Sequence, residues 1–232
     1  METIHVVVAK YLESERKRLK ERTYKDYESV MDLFCIYLNS YGPNYIDGEL
    51  KERWGEVDRT DSEAFVKIVK ISQVTSFNFG EFLEYFVIRK VASGESFMKS
   101  CIRVLKRFSR WLFENEYINE MHFNDLNDYL EDGKSSSLSD AKKVSDLLYV
   151  HSLHNQDLEY DETFRGYFDI VKKQGSQLWI GDIFGEEDID GPLVVPPNIA
   201  NLCRIGWQMS MLIGKRNGKW YVIEMGNVYP FE

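Results

Sequence analysis

The chain has 232 residues, of which 44% are hydrophobic and 14% aromatic, so it can bury one large core or two modest ones and is not disordered. No apolar run approaches the roughly 20 residues of a membrane span, and the N-terminus lacks a signal peptide's basic start and apolar core, so we expect a cytoplasmic protein with no membrane partner. The net charge of −9 is uneven: residues 1–120 carry 19 basic and 20 acidic side chains and residues 121–232 carry 10 and 18, so only the first part suits phosphate binding.

The first two predicted helices have a basic cluster between them. Hydrophobic periodicity predicts a helix from Val6 to Leu19. The cationic side chains that end it and follow it are Arg16, Lys17, Arg18, Lys20 and Arg22. Thr23, with Asp26 three residues later, is a capping-box variant and predicts a new helix that Gly42-Pro43 ends. The aromatic residues of this helix belong either to a core or to a base-stacking platform, and their helical spacing favours the core.

Further helices are predicted before Glu120. Residues 44–60 are polar and contain two glycines, which predicts a loop with a short helix near Glu49 to Trp54. Asp61 is expected to cap a third helix, and another is predicted from Asn78 to Val91. With the helix that starts at Ser96, these segments predict a small all-α bundle.

The helix from Ser96 to Phe113 has two different faces. Its five cations fall within an arc of roughly 100°, opposite an apolar face that a core would cover. Such a basic face either binds phosphates or is merely solvated. We predict a DNA-binding surface that combines it with the earlier basic cluster. The residues assigned to this surface are Lys99, Arg103, Lys106, Arg107, Arg110, Arg16, Lys20, Arg22, Thr23 and Lys25.

Three groups of residues carry a family resemblance over residues 5–120. The first is Thr23, Tyr27, Phe34 and Leu38; the second is Val74, Thr75, Phe82, Leu83 and Tyr85; the third is Phe108, Trp111, Leu112, Asn115, Ile118 and Asn119. In these motifs the chain resembles the N-terminal core-binding (SAM-like) domain of phage integrases and other tyrosine recombinases. The resemblance implies a helical domain that clamps double-stranded DNA, with positive side chains on its helices contacting the backbone.

The chain departs from that family in its catalytic residues. No histidine is followed three residues later by arginine, so the family's HxxR motif is absent from these residues. Tyr229 lies near the C-terminus like the family's nucleophile, but without the arginine pair it is better interpreted as a packed residue. We therefore expect no catalytic residues, no enzyme activity and no cofactor. The connector over residues 44–60 is also longer and more acidic than the family's usual one.

The segment EDGKSSSLS, residues 131–139, is predicted to be a polar linker between two domains. A helix from Asp140 to Ser152, capped by Ser139, is expected to follow it. His151 and His154 have metal-ligand spacing on that helix, but no third ligand type accompanies them, so ordinary helix residues are the favoured interpretation. The three cysteines lie far apart in sequence and provide neither a disulfide framework nor a CxxC metal site.

From Phe164 the sequence pattern changes to short β-branched and aromatic runs. Five strands, a helical turn at Pro197 to Leu202 and a type I′ hairpin at Asn217-Gly218 predict a small OB or SH3-like barrel. Its large aromatics are either base-stacking groups or core, and the barrel's small size favours core. These residues are Trp179, Trp207, Trp220 and Tyr221. The acidic cluster over residues 186–190 is a solvated loop or, less readily, a divalent cation site.

The expected fold is therefore multidomain α+β. It comprises a helical domain over residues 1–130, a linker over 131–139, and a connecting helix with a small β-barrel over 140–232. The function that fits best is a non-catalytic DNA-binding or DNA-architectural protein that resembles the recombinase core-binding domain without its catalytic domain. The alternative is a protein-interaction scaffold whose acidic barrel binds a protein partner.

We predict that the protein neither cleaves nor transfers DNA strands, because the arginine, HxxR and tyrosine set is incomplete. Incubation with supercoiled plasmid should leave it intact, and trapping should recover no tyrosyl-DNA adduct. A covalent adduct at Tyr229 would overturn this interpretation.

Overall fold

The computed structural model describes residues 2–91, 94–131, 134–185 and 189–230, apart from the side chains of residues 131, 134 and 135. A helical region comes first and a closed five-stranded β-barrel follows it, which confirms the α+β class. The chain divides into two compact units: Met1–Phe86 with Lys99–Ser135, and Val87–Met98 with Ser136–Glu232. No helix in the described ranges is long and apolar enough to cross a membrane.

The helices up to the predicted linker have the following bounds. They are α1 (Ile4–Arg18), α2 (Glu21–Tyr41), α3 (Gly48–Asp58), α4 (Ala64–Ile68), α5 (Ser76–Gly80), α6 (Ile88–Lys90), α7 (Glu95–Glu114) and α8 (Glu120–Glu131). Residues Glu81–Val87, between α5 and α6, are π-helical. The division between the two units falls within α7, after Met98.

An aromatic cluster forms the core of the first unit. Tyr11 of α1 lies 4.9 Å from the ring centroid of Phe108 and 5.5 Å from that of Trp111, both in α7. Phe34 of α2 packs edge-on against Phe82 at 5.2 Å. These rings are almost completely buried, so the interpretation of the α2 aromatics as core is confirmed.

Several helix boundaries differ from the predicted ones because packing and local contacts outweigh the capping signals. Helix α2 begins at Glu21, so Thr23 lies in its first turn and is not the N-cap. Helix α3 fills most of the predicted loop, starting at Gly48, whose φ of 54° only glycine adopts readily. Thr75 does cap α5, and its N–H donates to Asn78 Oδ1 at 2.9 Å.

The predicted linker is partly helical. Helix α9 runs from Lys134 to Ser152 and includes residues 134–139, while Asp132 and Gly133 lie outside the described residues. Serine costs little in a helix, and the buried Leu138 gives this serine-rich turn an apolar contact. The division at residue 135 falls inside the predicted linker, but the second unit also takes Val87–Met98 from the predicted helical domain.

The barrel agrees closely with the predicted strands. Its elements are β1 (Glu162–Gln174), β2 (Gln177–Asp182), β3 (Leu193–Val194), α10 (Pro197–Leu202), β4 (Gln208–Arg216) and β5 (Lys219–Tyr229). The strands close in the order β1-β2-β3-β5-β4, and only the β3–β5 pairing is parallel. Asn217 and Gly218 have φ values of 52° and 71°, the positive values that a type I′ turn requires.

The barrel core includes one face of α9. Ala141, Val144 and Leu148 belong to the same buried cluster as the strand residues. Trp207 and Trp220 are buried, which confirms that they form core. Trp179 is half-buried, with the Lys172 ammonium 4.6 Å from its ring centroid.

We predict that Leu148→Ala destabilises the barrel unit by about 2–5 kcal/mol, because it leaves a cavity in the shared core. Leu153→Ala is the matched control, since that side chain is 47% exposed, and it should change stability little. Urea unfolding followed by tryptophan fluorescence measures both variants. Equal midpoints for the two would show that α9 does not contribute to the barrel core.

Candidate nucleic-acid interface

The basic face of α7 lines an open depression in the first unit. Its lining residues are Arg18, Arg103, Lys106, Arg107, Arg110 and Asn127, and its volume is about 550 Å³. We call it the cationic depression. Helical spacing places the four α7 cations on one side, and the burial of Val104, Leu105 and Phe108 turns that side outward.

A buried carboxylate fixes two of the guanidinium groups. Glu15 is 1% exposed. Its Oε1 accepts a hydrogen bond from Arg107 Nε at 3.1 Å, and its Oε2 accepts one from Arg18 Nε at 3.1 Å and a second from the same guanidinium. Hydrogen bonding to this carboxylate raises the pKa of Arg18. The arrangement joins α1 to α7 and orients both arginines.

The other ion pairs of the depression's cations are with exposed acids. Arg107 Nη1 also donates to Glu114 at 3.2 Å. Arg103 Nη2 lies 3.6 Å from an Asp26 carboxylate oxygen in an exposed pair, which solvent screens. Lys106 and Arg110 form no ion pair with any residue in the described ranges.

The remaining residues assigned to the DNA-binding surface do not line the depression. Arg16 lies over the Tyr24 ring, 5.5 Å from its centroid. Lys25 is 3.9 Å from Glu21. Lys99, Lys20 and Arg22 are exposed and Thr23 is half-buried. The depression therefore gathers Arg103, Lys106, Arg107 and Arg110 from the assigned set and adds Arg18.

Arg18 belongs to the basic cluster at the end of α1 but was not among the residues assigned to the surface from the sequence, although a signal for it exists. The buried face of α1 consists of Ile4, Val7, Val8, Tyr11 and Glu15. Glu15 thus occupies the apolar stripe, where an acid needs a cationic partner. Arg18, three residues later, is on the same side of the helix and supplies it.

Two acids of the π-helical segment, Glu81 and Glu84, contact tyrosine hydroxyls. Tyr45 donates its hydroxyl to Glu81 at 2.8 Å, and Tyr129 donates to Glu84 at 2.7 Å. A larger groove, of about 1190 Å³, is lined by Glu114, Glu116 and Asp125 together with apolar residues. Because its carboxylates repel phosphate, the acidic groove suits a nucleic-acid ligand poorly.

Metal and nucleophile chemistry receives little support from the described residues. Within them, no three His, Cys, Asp or Glu side chains are grouped closely enough to hold a metal ion. Burial lowers the pKa of His151 and raises that of Cys101 to about 12. Tyr229 is buried, in agreement with the packed interpretation. Of the acidic loop, residues 186–188 lie outside the described residues, and Asp190 pairs with Lys215.

A third concave surface lies on the barrel. This barrel groove, of about 450 Å³, is lined by residues of β1, β4 and β5 and by the turn after β2. Phe184 there is 69% exposed and meets the Tyr167 ring edge-on at 6.3 Å. Arg165 is paired with Glu224 at 2.6 Å and Asp182 also lines the groove, so the groove offers aromatic surface without an excess of positive charge.

No protein-family model, curated protein or solved structure matches this chain. The likeness to the recombinase core-binding domain therefore stays a prediction from the sequence motifs.

Proposed function

We propose that the protein binds double-stranded DNA without catalysing a reaction on it, through the cationic depression. The observation that carries the proposal is that four α7 cations and Arg18 of α1 line one open surface. Under this proposal the helical part acts as a recombinase-like core-binding module. The accompanying barrel belongs to the OB or SH3-like class.

The charge of the depression supports a phosphate ligand. Five cations line it, and three acids pair with them: Glu15, Asp26 and Glu114. Two positive charges remain uncompensated. Binding a polyanion there releases condensed counterions, which is the main source of sequence-independent affinity for DNA. Arginine forks also match phosphate oxygens in geometry.

The remainder of the chain limits the affinity. The net charge of the whole chain is −9, and most of this net charge comes from residues 121–232. Long-range attraction to DNA is therefore weak, and binding depends on short-range contacts within the depression. We expect backbone contacts that position the protein without selecting a sequence.

A second function has its own support in the barrel groove. Exposed aromatic surface next to paired charges, as at Phe184 and Tyr167, suits a protein or peptide partner better than a polyanion. A scaffold of this kind would not need the cationic depression, so variants of the depression separate the two functions.

We predict that Lys106→Gln/Arg110→Gln weakens duplex binding on all sequences alike. With about four phosphate contacts, log Kobs should fall with log salt at a slope of roughly −3 to −4, and the double variant should reduce that slope by about two. Neither residue forms an ion pair with a described residue, and glutamine is a good helix former, so the fold should persist. Fluorescence anisotropy at several salt concentrations measures both quantities.

The matched control is Arg53→Gln/Arg59→Gln, which removes two exposed cations at α3 and changes the net charge equally. Its salt slope should equal that of the parent. If Lys106→Gln/Arg110→Gln also bound with the parent's affinity and slope, the depression would be merely solvated and the scaffold function preferred.

A further inference from the structure

Glu15 is unusual within this protein. Of the Asp, Glu, Lys and Arg side chains in the described part of the chain, it is the one that is buried. Burying a carboxylate is unfavourable unless charged partners surround it. A hydrophobic residue would continue the apolar stripe of α1 at this position without that cost, so the acid calls for an explanation beyond stability.

The two arginines that bind Glu15 provide an explanation for the buried acid. Arg18 uses one edge of its guanidinium on Oε2, and Arg107 uses Nε on Oε1 and Nη1 on Glu114. An arginine has five N–H donors, so each guanidinium keeps N–H groups that these contacts do not use. Because both groups bind the same carboxylate, they lie next to each other, and both line the cationic depression.

We propose that Glu15 is a positioning residue that holds Arg18 and Arg107 as a paired guanidinium clamp for one phosphate group. Lys106 and Arg110, at the same depression, supply further positive charge. The inference deepens the proposed function and rests on it where the phosphate belongs to DNA. The same clamp chemistry also accepts a free phosphate ion.

The benefit of the buried acid is preorganisation. A free arginine side chain samples many rotamers, and binding must immobilise it at an entropic cost. In this protein folding already orders the two arginine side chains, because Glu15 accepts a hydrogen bond from Nε of each. Binding a phosphate group therefore carries less of this entropic cost. Planar guanidinium groups held in this way present donors in a fixed geometry, which lysine ammonium groups cannot do.

The positioning role of Glu15 and its negative charge predict opposite effects of Glu15→Gln on phosphate binding. Glu15 removes one positive charge from the depression, so attraction alone predicts that Glu15→Gln strengthens phosphate binding. If Glu15 instead positions the clamp, its loss weakens binding although the protein becomes less negative. The sign of the change distinguishes the two roles.

The experiment compares Glu15→Gln with Glu13→Gln, which removes the same charge from an exposed pair with Lys17 on α1. We expect Glu15→Gln to weaken duplex DNA binding by about 5–10-fold at fixed salt, an effect the size of one lost hydrogen bond of ordinary strength, while Glu13→Gln binds as tightly as the parent or more tightly. Equal or tighter binding by Glu15→Gln would overturn the clamp. Circular dichroism checks that both variants fold.

Charge-conserving variants test the clamp should Glu15→Gln fail to fold. Arg18→Lys keeps the charge but replaces the fork with a single ammonium group and should weaken binding several-fold. Arg53→Lys is the control, because Arg53 is an exposed cation of α3 that does not line the depression, and it should retain the parent's affinity. If Arg18→Lys bound like Arg53→Lys, the fork geometry would be irrelevant and the clamp wrong.

A calorimetric titration with inorganic phosphate, against chloride at equal ionic strength, separates the two sources of phosphate. Phosphate binding that Glu15→Gln abolishes, in a protein that does not bind duplex DNA, would support the clamp and overturn the proposed function. Duplex binding that is insensitive to Glu15→Gln and Arg18→Lys would support the proposed function and overturn the clamp. Binding of neither ligand would overturn both.

Discussion

The ion pair between Glu15 and Arg107 joins the first helix to the seventh, and the surface chemistry of the first unit depends on it. Next to this pair, Tyr11 packs against Phe108 and Trp111 and fixes the separation of the two helices. Burial raises the pKa of Tyr11, so its hydroxyl stays neutral in this core. The apolar contact and the ion pair together set how α7 is rotated, and that rotation decides where its cations point.

Charged residues are arranged differently in the two units. In the first unit, cations gather at the depression, and Glu81 and Glu84 are bound to tyrosine hydroxyls elsewhere. In the barrel, Arg165 of β1 pairs with Glu224 of β5 across the strand β4 that lies between them. A surface without an excess of positive charge has no preference for phosphate, whereas the depression carries such an excess.

The features that local sequence determines were predictable. Asn217-Gly218 predicted its hairpin because few other dipeptides adopt two positive φ values, and alternation located the strands on either side. The start of α9 was not predictable, because Ser135 to Ser137 resemble a linker until a buried partner for Leu138 is known. The basic face of α7 followed from periodicity, whereas its meeting with Arg18 depends on a contact between residues 92 positions apart. Tertiary packing, which local pattern does not encode, made that connection.

The cations of the depression differ in how readily they can exchange partners. An exposed pair such as Arg103 with Asp26 is worth about 0–1 kcal/mol, so a phosphate oxygen can replace the carboxylate at little cost. Separating Glu15 from its arginines would leave a buried charge uncompensated, at a cost of about 3–5 kcal/mol. Under the proposed function, a bound anion would therefore contact the N–H groups that Glu15 leaves unused and replace the outer acids. Glu15 fixes the positions of the two guanidinium groups that bind it. The exposed acids Asp26 and Glu114 pair with cations of the depression but can be replaced by a phosphate oxygen.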